Sequence, residues 1–205
     1  RAIVAAVILG TVVAIGTALT LPGMRMDLSA PNALTYFCAK IIFATVIVIA
    51  GTAYLLRLVR PGVVSPSKSA PVPWPPVAVA ALATISLVSA PLWHWHNMAM
   101  ADGWIECLVS IPIIAVVPFA AVVWAVRRMA PTDLARTGAL AGFVAGGISA
   151  AGYALHCTDD SLPFIALWYG GAIVMCTLAG ALLGPRLLPA TFTPAAAASL
   201  KNLKA

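Results

Sequence analysis

The side chains that could do chemistry are concentrated in residues 91–107, PLWHWHNMAMADGWIEC, within an otherwise apolar chain. Imidazole, thiol and thioether groups together suit copper or zinc, and methionine with cysteine favours Cu(I). Histidines two residues apart share one side of an extended segment but not of a helix. The alternative is that the tryptophans and histidines anchor a membrane boundary. The candidate metal ligands in this stretch are His94, His96, Met98, Met100, Glu106 and Cys107.

A second group of reactive side chains lies at residues 156–160, HCTDD. Two helix ends packed side by side bring cysteines near the roughly 4.4–6.8 Å Cα separation of a disulfide, and the same two thiolates could instead bind a soft metal. A protonated His156 would favour a thiolate at Cys157, whereas Glu106 would oppose one at Cys107. We therefore expect Cys107 and Cys157 to form a redox or metal-binding pair; the alternative is two unconnected small residues.

The composition is that of a membrane protein. The chain has 205 residues, of which 62% are hydrophobic and 9% charged, and its mean hydropathy is +1.01. Soluble domains are about 25% charged. Because backbone groups in lipid must be satisfied within their own segment, the long apolar runs predict an all-α membrane protein. The net charge of +6 is spread among loops, so direct binding to nucleic acid is not expected.

Six apolar segments predict one domain, residues 1–205, that forms a bundle of six transmembrane helices. Each segment is near the roughly 20 residues that a helix needs to cross a bilayer. The third is the shortest, and a linker rich in proline and serine separates it from the second. We place the spans at about 2–21, 34–56, 76–92, 104–126, 137–156 and 164–184.

The distribution of basic residues predicts the orientation of these helices. Arg25 is the one basic residue assigned to the loops of one side, and Lys40 lies inside the second span, within snorkelling reach of that side. Both termini are therefore expected to be cytoplasmic. Cys107 and Cys157 then face the outside, which in a Gram-negative bacterium is the periplasm, where disulfides persist. The basic residues on the cytoplasmic side are Arg1, Arg57, Arg60, Lys68, Arg127, Arg128, Arg136, Arg186, Lys201 and Lys204.

Two further patterns concern helix packing and the inner loop at residues 127–136. Small residues recur every fourth position in the fifth and sixth spans, which predicts close packing with each other or with a neighbour, so a dimer is possible. Asp133 is expected to cap the fifth helix, and the loop is either a set of topology determinants or a docking surface for a partner. The small-residue ladders are Gly138, Gly142, Gly146 and Ala150, and Ala172, Cys176, Gly180 and Gly184.

Residues 127–188 strongly resemble the NrsF family of six-span inner-membrane anti-sigma factors. The motifs that carry the resemblance are A-P-T-D-L in the inner loop, Y-A-L-H-C followed by two acids, P-F-x-A-x-W-Y and L-L-G-P-R-L-L. The order and spacing of the spans fit as well. The resemblance implies a multi-pass protein of the bacterial inner membrane that contacts lipid and sequesters an extracytoplasmic-function sigma factor on the cytoplasmic side. It implies no enzyme.

The resemblance also implies a sensory role for the two cysteines. The family carries one cysteine at the outer end of the fourth span and one in an H-C pair closing the fifth, matched here by Cys107 and Cys157. In the family they are linked to sensing heavy metals or oxidants, upon which the sigma factor is released. No cofactor is required, but copper, cadmium or zinc would be a regulatory ion. Its candidate helpers are His94, His96, Met98, Met100, Glu106 and His156, and its candidate coupling loop carries Arg127, Arg128, Asp133 and Arg136.

One part of the family pattern is expected to be missing, and two other functions compete with it. The family's cytoplasmic segment before the first span, implicated in holding the sigma factor, is apparently absent, because the sequence starts at the first span. A quinone-linked thiol oxidoreductase would normally need a C-x-x-C motif, which the sequence lacks. A metal or haem electron carrier would use His94 or His96 with His156.

Overall fold

The chain is mostly helical in the ranges that the computed structural model describes, which are residues 2–20, 32–59, 74–100, 103–129, 131 and 133–188. These ranges contain no strand, so the predicted all-α class is confirmed. One π-helical turn lies at Ile165–Tyr169, and two 3₁₀ turns lie at Leu92–His94 and Arg127–Met129. The helices are α1 (Ala2–Thr20), α2 (Ala33–Leu58), α3 (Trp74–Val88), α4 (Trp95–Met100), α5 (Trp104–Val126), α6 (Leu134–Tyr153) and α7 (Leu162–Leu187).

Each of the six predicted spans coincides with one of the longer helices. Among the described residues, four helical stretches are long and apolar enough to cross a membrane. These are α2, α6, α7 and a stretch that contains α5. α1 contains a shorter apolar helix, and α3 has 15 residues. The number of six spans and the cytoplasmic position of the termini stay predictions.

The helix ends differ from the predicted boundaries for local chemical reasons. α3 stops at Val88, four residues before the predicted end, because Pro91 has an extended backbone and disfavours helix in the residue before it. α6 starts at Leu134, three residues early, because the Asp133 carboxylate accepts a hydrogen bond from the N–H of Arg136 at 3.0 Å. The predicted cap at Asp133 is therefore confirmed.

α6 is the central helix of the bundle. Of the residues of α6 that could cross a membrane, 72% are buried inside the bundle. In each of the other three membrane-length stretches the buried share is a third or less. Its glycines let neighbouring backbones approach: a Cβ at Gly142 would overlap the carbonyl of Cys176, and one at Gly138 would overlap the carbonyl of Gly180. The predicted close packing of the fifth and sixth spans with each other is confirmed. Whether small residues also form a dimer face stays a prediction.

The two ends of the bundle collect different side chains. At one end lie α4, the first residues of α2, of α5 and of α7, and the last residues of α6. This end holds Cys107 and Cys157. At the opposite end, Nε of Arg127 donates to the carbonyl oxygen of Leu187 at 2.6 Å and ties the end of α5 to the end of α7. Outside the described residues lie residue 1, residues 21–31, residues 60–73 and the tail from residue 189, with the predicted roles of Arg1, Arg25, Arg60, Lys68, Lys201 and Lys204.

Candidate functional site

The two cysteines singled out by the sequence lie side by side at one end of the bundle. Cys107, in the first turn of α5, is fully buried, and Cys157, four residues after α6 ends, is 5% exposed. Their side chains are within hydrogen-bonding reach of each other, and both are present as thiols. The N–H of Cys157 bonds to the carbonyl of Tyr153 at 3.1 Å, so the chain keeps turning after α6 and brings Cys157 to α5.

A buried lysine occupies the same site. The side chain of Lys40, in the third turn of α2, is fully buried. Its Nζ donates to the carbonyl oxygen of Cys157 at 3.0 Å, lies 3.2 Å from Oδ1 of Asp160 and 3.7 Å from Sγ of Cys157. It also lies 5.8 Å from the ring centroid of Tyr169. Lys40 therefore points into the bundle. The sequence had suggested that its side chain could snorkel to the outer side, and the structure differs in this respect.

The surroundings of Cys157 favour its thiolate. The hydrogen bond with Cys107 and the nearby Lys40 ammonium lower the pKa of the Cys157 thiol, and together they outweigh burial, which raises it. The sequence had assigned the role of the nearby cation to His156. The structure assigns it to Lys40, which belongs to a helix more than a hundred residues away.

The pH dependence of alkylation should report this arrangement. A lowered pKa means that the thiolate forms at lower pH, so iodoacetamide should label Cys157 with a midpoint below the usual thiol value of about 8.5. The Cys107→Ala variant loses the hydrogen-bond donor, so its midpoint should move to higher pH. Mass spectrometry of protein labelled in detergent would measure it, in a Cys38→Ser background because Cys38 is exposed. An unchanged midpoint in the variant would mean that the thiol–thiol hydrogen bond does not stabilise the thiolate.

Three aromatic rings lie in the same buried cluster as the two thiols. Tyr153 and Tyr169 are buried with ring centroids 6.2 Å apart, and Phe164 packs against Tyr169 at 6.5 Å. Tyr169 ends the π-helical turn of α7, and such turns are frequent at functional sites.

The segment that carries Cys157 is tied to two neighbouring elements. Oδ2 of Asp159 accepts a hydrogen bond from the N–H of Gly103 at 3.1 Å, which joins the segment to the start of α5. Oγ of Ser161 donates to the carbonyl of Met98 at 2.6 Å, which joins it to α4. A movement of Cys157 would therefore act on α4 and α5 through these hydrogen bonds, and on α2 through Lys40.

Four of the predicted metal ligands lie on or beside α4 and not at the thiols. The segment is helical, so His94 and His96 do not share a face, and both are exposed. Met100 is exposed and Met98 is half-buried. In the part of the chain that the structure describes, no three or more histidine, cysteine, aspartate or glutamate side chains are grouped to hold a metal ion.

The other predicted helpers lie next to the thiols. Glu106 and His156 line an open, polar cleft of about 290 Å³ that reaches Cys157. Nδ1 of His156 is buried and has no hydrogen-bond partner among the described residues. The cleft is lined by Cys157 and not by the fully buried Cys107.

The predicted coupling loop lies at the opposite end of the bundle from the thiols. Arg127 contacts the end of α7, and the guanidinium of Arg128 lies 3.8 Å from the ring centroid of Trp124. Asp133 and Arg136 form an exposed ion pair at 3.1 Å. All four predicted residues are thus engaged within the protein, while both arginines of the 3₁₀ turn stay exposed.

Sequence reasoning missed Lys40, Asp160 and Tyr169 as parts of the site. The available signal was the position of Lys40, because an ionisable residue inside an apolar span is costly and usually marks a functional site. Its partner could not be identified, because Asp160 is 120 residues away in the chain.

One family of known proteins matches nearly the whole chain. The sequence pattern of the NrsF family, described as "Negative regulator of sigma F", matches residues 1–189. The chain belongs to the NrsF family. This confirms the resemblance predicted from the motifs, and the family's description is that of a regulator.

Two curated relatives carry the family name. The chain is 32% identical over 170 residues to the probable anti-sigma-F factor NrsF of Azospira oryzae, covering 83% of this chain and 80% of that protein. It is 35% identical over 86 residues to the anti-sigma-F factor NrsF of Caulobacter vibrioides, covering 42% of this chain and 40% of that protein. No solved structure matches the chain.

Proposed function

We propose that this protein is a membrane-embedded anti-sigma factor whose sensory head is the Cys107–Cys157 pair. Its partner is an extracytoplasmic-function sigma factor, held at the cytoplasmic face and released when a soft metal ion or an oxidant reaches the two sulfurs. Membership of the NrsF family supports the regulatory role. The observation that carries the sensory role is the burial of two neighbouring thiols from α5 and the segment after α6, reached by a polar cleft.

The two thiols can respond to both kinds of signal. A two-electron oxidant would take two electrons from the pair, two protons would leave, and a disulfide bond would form between the sulfurs. A soft metal ion would displace the thiol protons and bind both sulfurs. Either reaction fixes the separation between α5 and the end of α6, and a ligand shifts a conformational equilibrium only through such differences between states.

The donor set fits a soft metal ion. Two thiolates suit Cu(I), Cd(II) or Zn(II), and copper is our first choice because α4, at the same end of the bundle, carries two methionines. His156 could add its buried Nδ1, and Glu106 lines the cleft as a hard donor that attracts cations. His94, His96, Met98 and Met100 on and beside α4 would act as an outer collecting surface.

We assign six transmembrane helices with both termini in the cytoplasm, in the inner membrane of a bacterium. The distribution of basic residues supports this orientation. The thiol end of the bundle is then periplasmic, where metals and oxidants arrive first, and the Arg127–Met129 turn is cytoplasmic. A dimer would be compatible with exposed apolar helix faces, for example around Leu182.

The bundle offers a path between the two faces. α5 runs from Cys107 at the sensory end to Arg127 at the other, where Arg127 holds the end of α7. A tilt of α5 therefore moves the cytoplasmic loop at residues 127–136 and the end of α7 together. That loop carries exposed arginines, and we expect it to be the surface through which the movement alters the binding of the sigma factor.

A sigma-dependent reporter in cells tests the proposal. The Cys107→Ser, Cys157→Ser double variant should keep the reporter repressed in the presence of copper, cadmium or an oxidant, whereas wild-type protein should release it. Cys38→Ser is the matched control, because Cys38 is an exposed cysteine of α2, whereas both cysteines of the pair are buried. Normal induction in the double variant would remove the sensory role. Loss of repression without any stress, with the protein still present in membranes, would assign the cysteines to sigma-factor binding.

A further inference from the structure

The position of Lys40 is unusual for a residue in an apolar helix. Its side chain is fully buried, its ammonium group has two oxygen partners in the segment after α6, and the Asp160 side chain is 18% exposed. A buried charge is tolerated only when it is paired and hydrogen-bonded. The stability of this arrangement therefore depends on the segment at residues 157–160 staying where it is.

We propose that Lys40 is a latch between α2 and the segment at residues 157–160, and that chemistry at Cys157 opens it. The inference rests on the proposed function and names the residue that passes the signal to α2. In the resting state the ammonium group holds the carbonyl of Cys157 and the carboxylate of Asp160. In the signalling state that hold is weakened, and α2 moves away from the segment.

The geometry explains how two different signals have the same effect. Nζ of Lys40 lies 3.7 Å from the sulfur of Cys157. Cd(II) bound by both sulfurs displaces their protons and is neutralised by the two thiolates, so the sulfur of Cys157 no longer offers a charge or a lone pair to the ammonium group. A disulfide with Cys107 instead turns the sulfur and its backbone away from Lys40 and removes an acceptor. Both reactions leave a buried charge less well paired, and the helix that carries it relaxes.

α2 also reaches the opposite end of the bundle. Leu55 and Val59 are buried there in the same apolar cluster as Val122 and Val126 of α5 and Leu188 after α7. A shift of α2 at Lys40 is therefore transmitted to the end that carries the coupling loop. α2 and α5 form two routes from one site, and Lys40 belongs to the first of them.

The test uses the complete protein with its sigma factor in cells, with cadmium chloride as the probe. Lys40→Met is one atom shorter, keeps an unbranched side chain and removes its charge, so the latch is open without a signal. We expect uninduced reporter output to rise about tenfold, within the range usual for coupled sites, with little further rise on cadmium. Lys40→Arg keeps the charge and should keep repression. Immunoblots of membranes check that protein levels are unchanged.

A double variant separates the latch from a merely structural role. Lys40→Met with Asp160→Asn removes both charges, so no unpaired charge stays buried, and such replacements are often neutral for stability. We expect this variant to be present at wild-type levels and still derepressed. Wild-type regulation in the double variant would show that only an unpaired charge had mattered and would overturn the latch, as would normal repression and induction in Lys40→Met.

The outcomes also separate the latch from the proposed function. If cadmium does not induce the reporter in the cysteine double variant but Lys40→Met behaves as wild type, the sensory role of the cysteine pair is retained and the latch is wrong. If the cysteine double variant still responds to cadmium, the proposed function fails first. Alkylation of Cys157 in the Lys40→Met protein, before and after cadmium, shows whether the metal still reaches the sulfur when the output no longer follows it.

Discussion

Serine in place of Cys107 or Cys157 should weaken the binding of Cu(I) and Cd(II) to the purified protein by about 100-fold. Four-ligand zinc sites bind with about 10–16 kcal/mol, so one thiolate is worth about 3 kcal/mol, or roughly two powers of ten in affinity. Replacing both should cost about 10⁴-fold, because the pair is the part of the site where two soft donors lie within reach of each other. Competition titration against a chelator of known affinity measures the change.

A matched set of variants makes this prediction specific. Cys38→Ser removes an exposed cysteine outside the pair and should leave the affinity unchanged. His156→Ala should cost less than either serine, since the structure offers one buried nitrogen at the edge of the cleft and not a second ligand pair. If His94→Ala and His96→Ala cost more than the cysteine variants, the metal site lies on α4 and the proposed sensory head is wrong.

Valine in place of Gly142 should separate α6 from α7. A Cβ there would overlap the carbonyl of Cys176, and backbone cannot rotate away as a side chain does. Overpacking of a close helix contact costs about 1–3 kcal/mol, and we expect the upper end. For a protein of this size that corresponds to a fall of about 10 °C in the melting temperature. Thermal unfolding in detergent, followed by circular dichroism, measures it.

Gly171 is the matched control for this substitution. It lies on α7, where an added Cβ meets nothing within 4 Å. Gly171→Val brings the same side chain and the same change in helix propensity without the overlap, so the melting temperature should change little. An equal fall in both variants would mean that the cost comes from the helix and not from the contact between α6 and α7.

Much of this fold follows from local sequence patterns. Apolar runs of membrane length set the positions of the longer helices, and Asp133 marked the start of α6 because its carboxylate caps the helix. The ladders at Gly142 and Cys176 predicted the packing of α6 on α7, because only small residues let two backbones approach so closely. The cysteine at each of two helix ends identified the residues that meet in the site.

The rest of the site depends on contacts that no local pattern contains. Lys40 was assigned to the bundle edge because the span around it is apolar, but its partners come from a segment 117 to 120 residues further along. The short helix α4 was not among the six predicted spans, because six residues are too few to cross a membrane. The π-helical turn that positions Tyr169 has no sequence signature, since it reflects how α7 packs and not which residues it contains.

The most direct test of the central claim follows the thiols and the sigma factor in one sample. The protein, bound to its sigma factor in lipid nanodiscs, is titrated with Cu(I) or with a mild oxidant, and alkylation counts the reactive thiols while pull-down counts the bound sigma factor. We expect Cys107 and Cys157 to become protected together and the sigma factor to leave over the same concentration range. Release while both thiols still react, or protection of both without release, would contradict it.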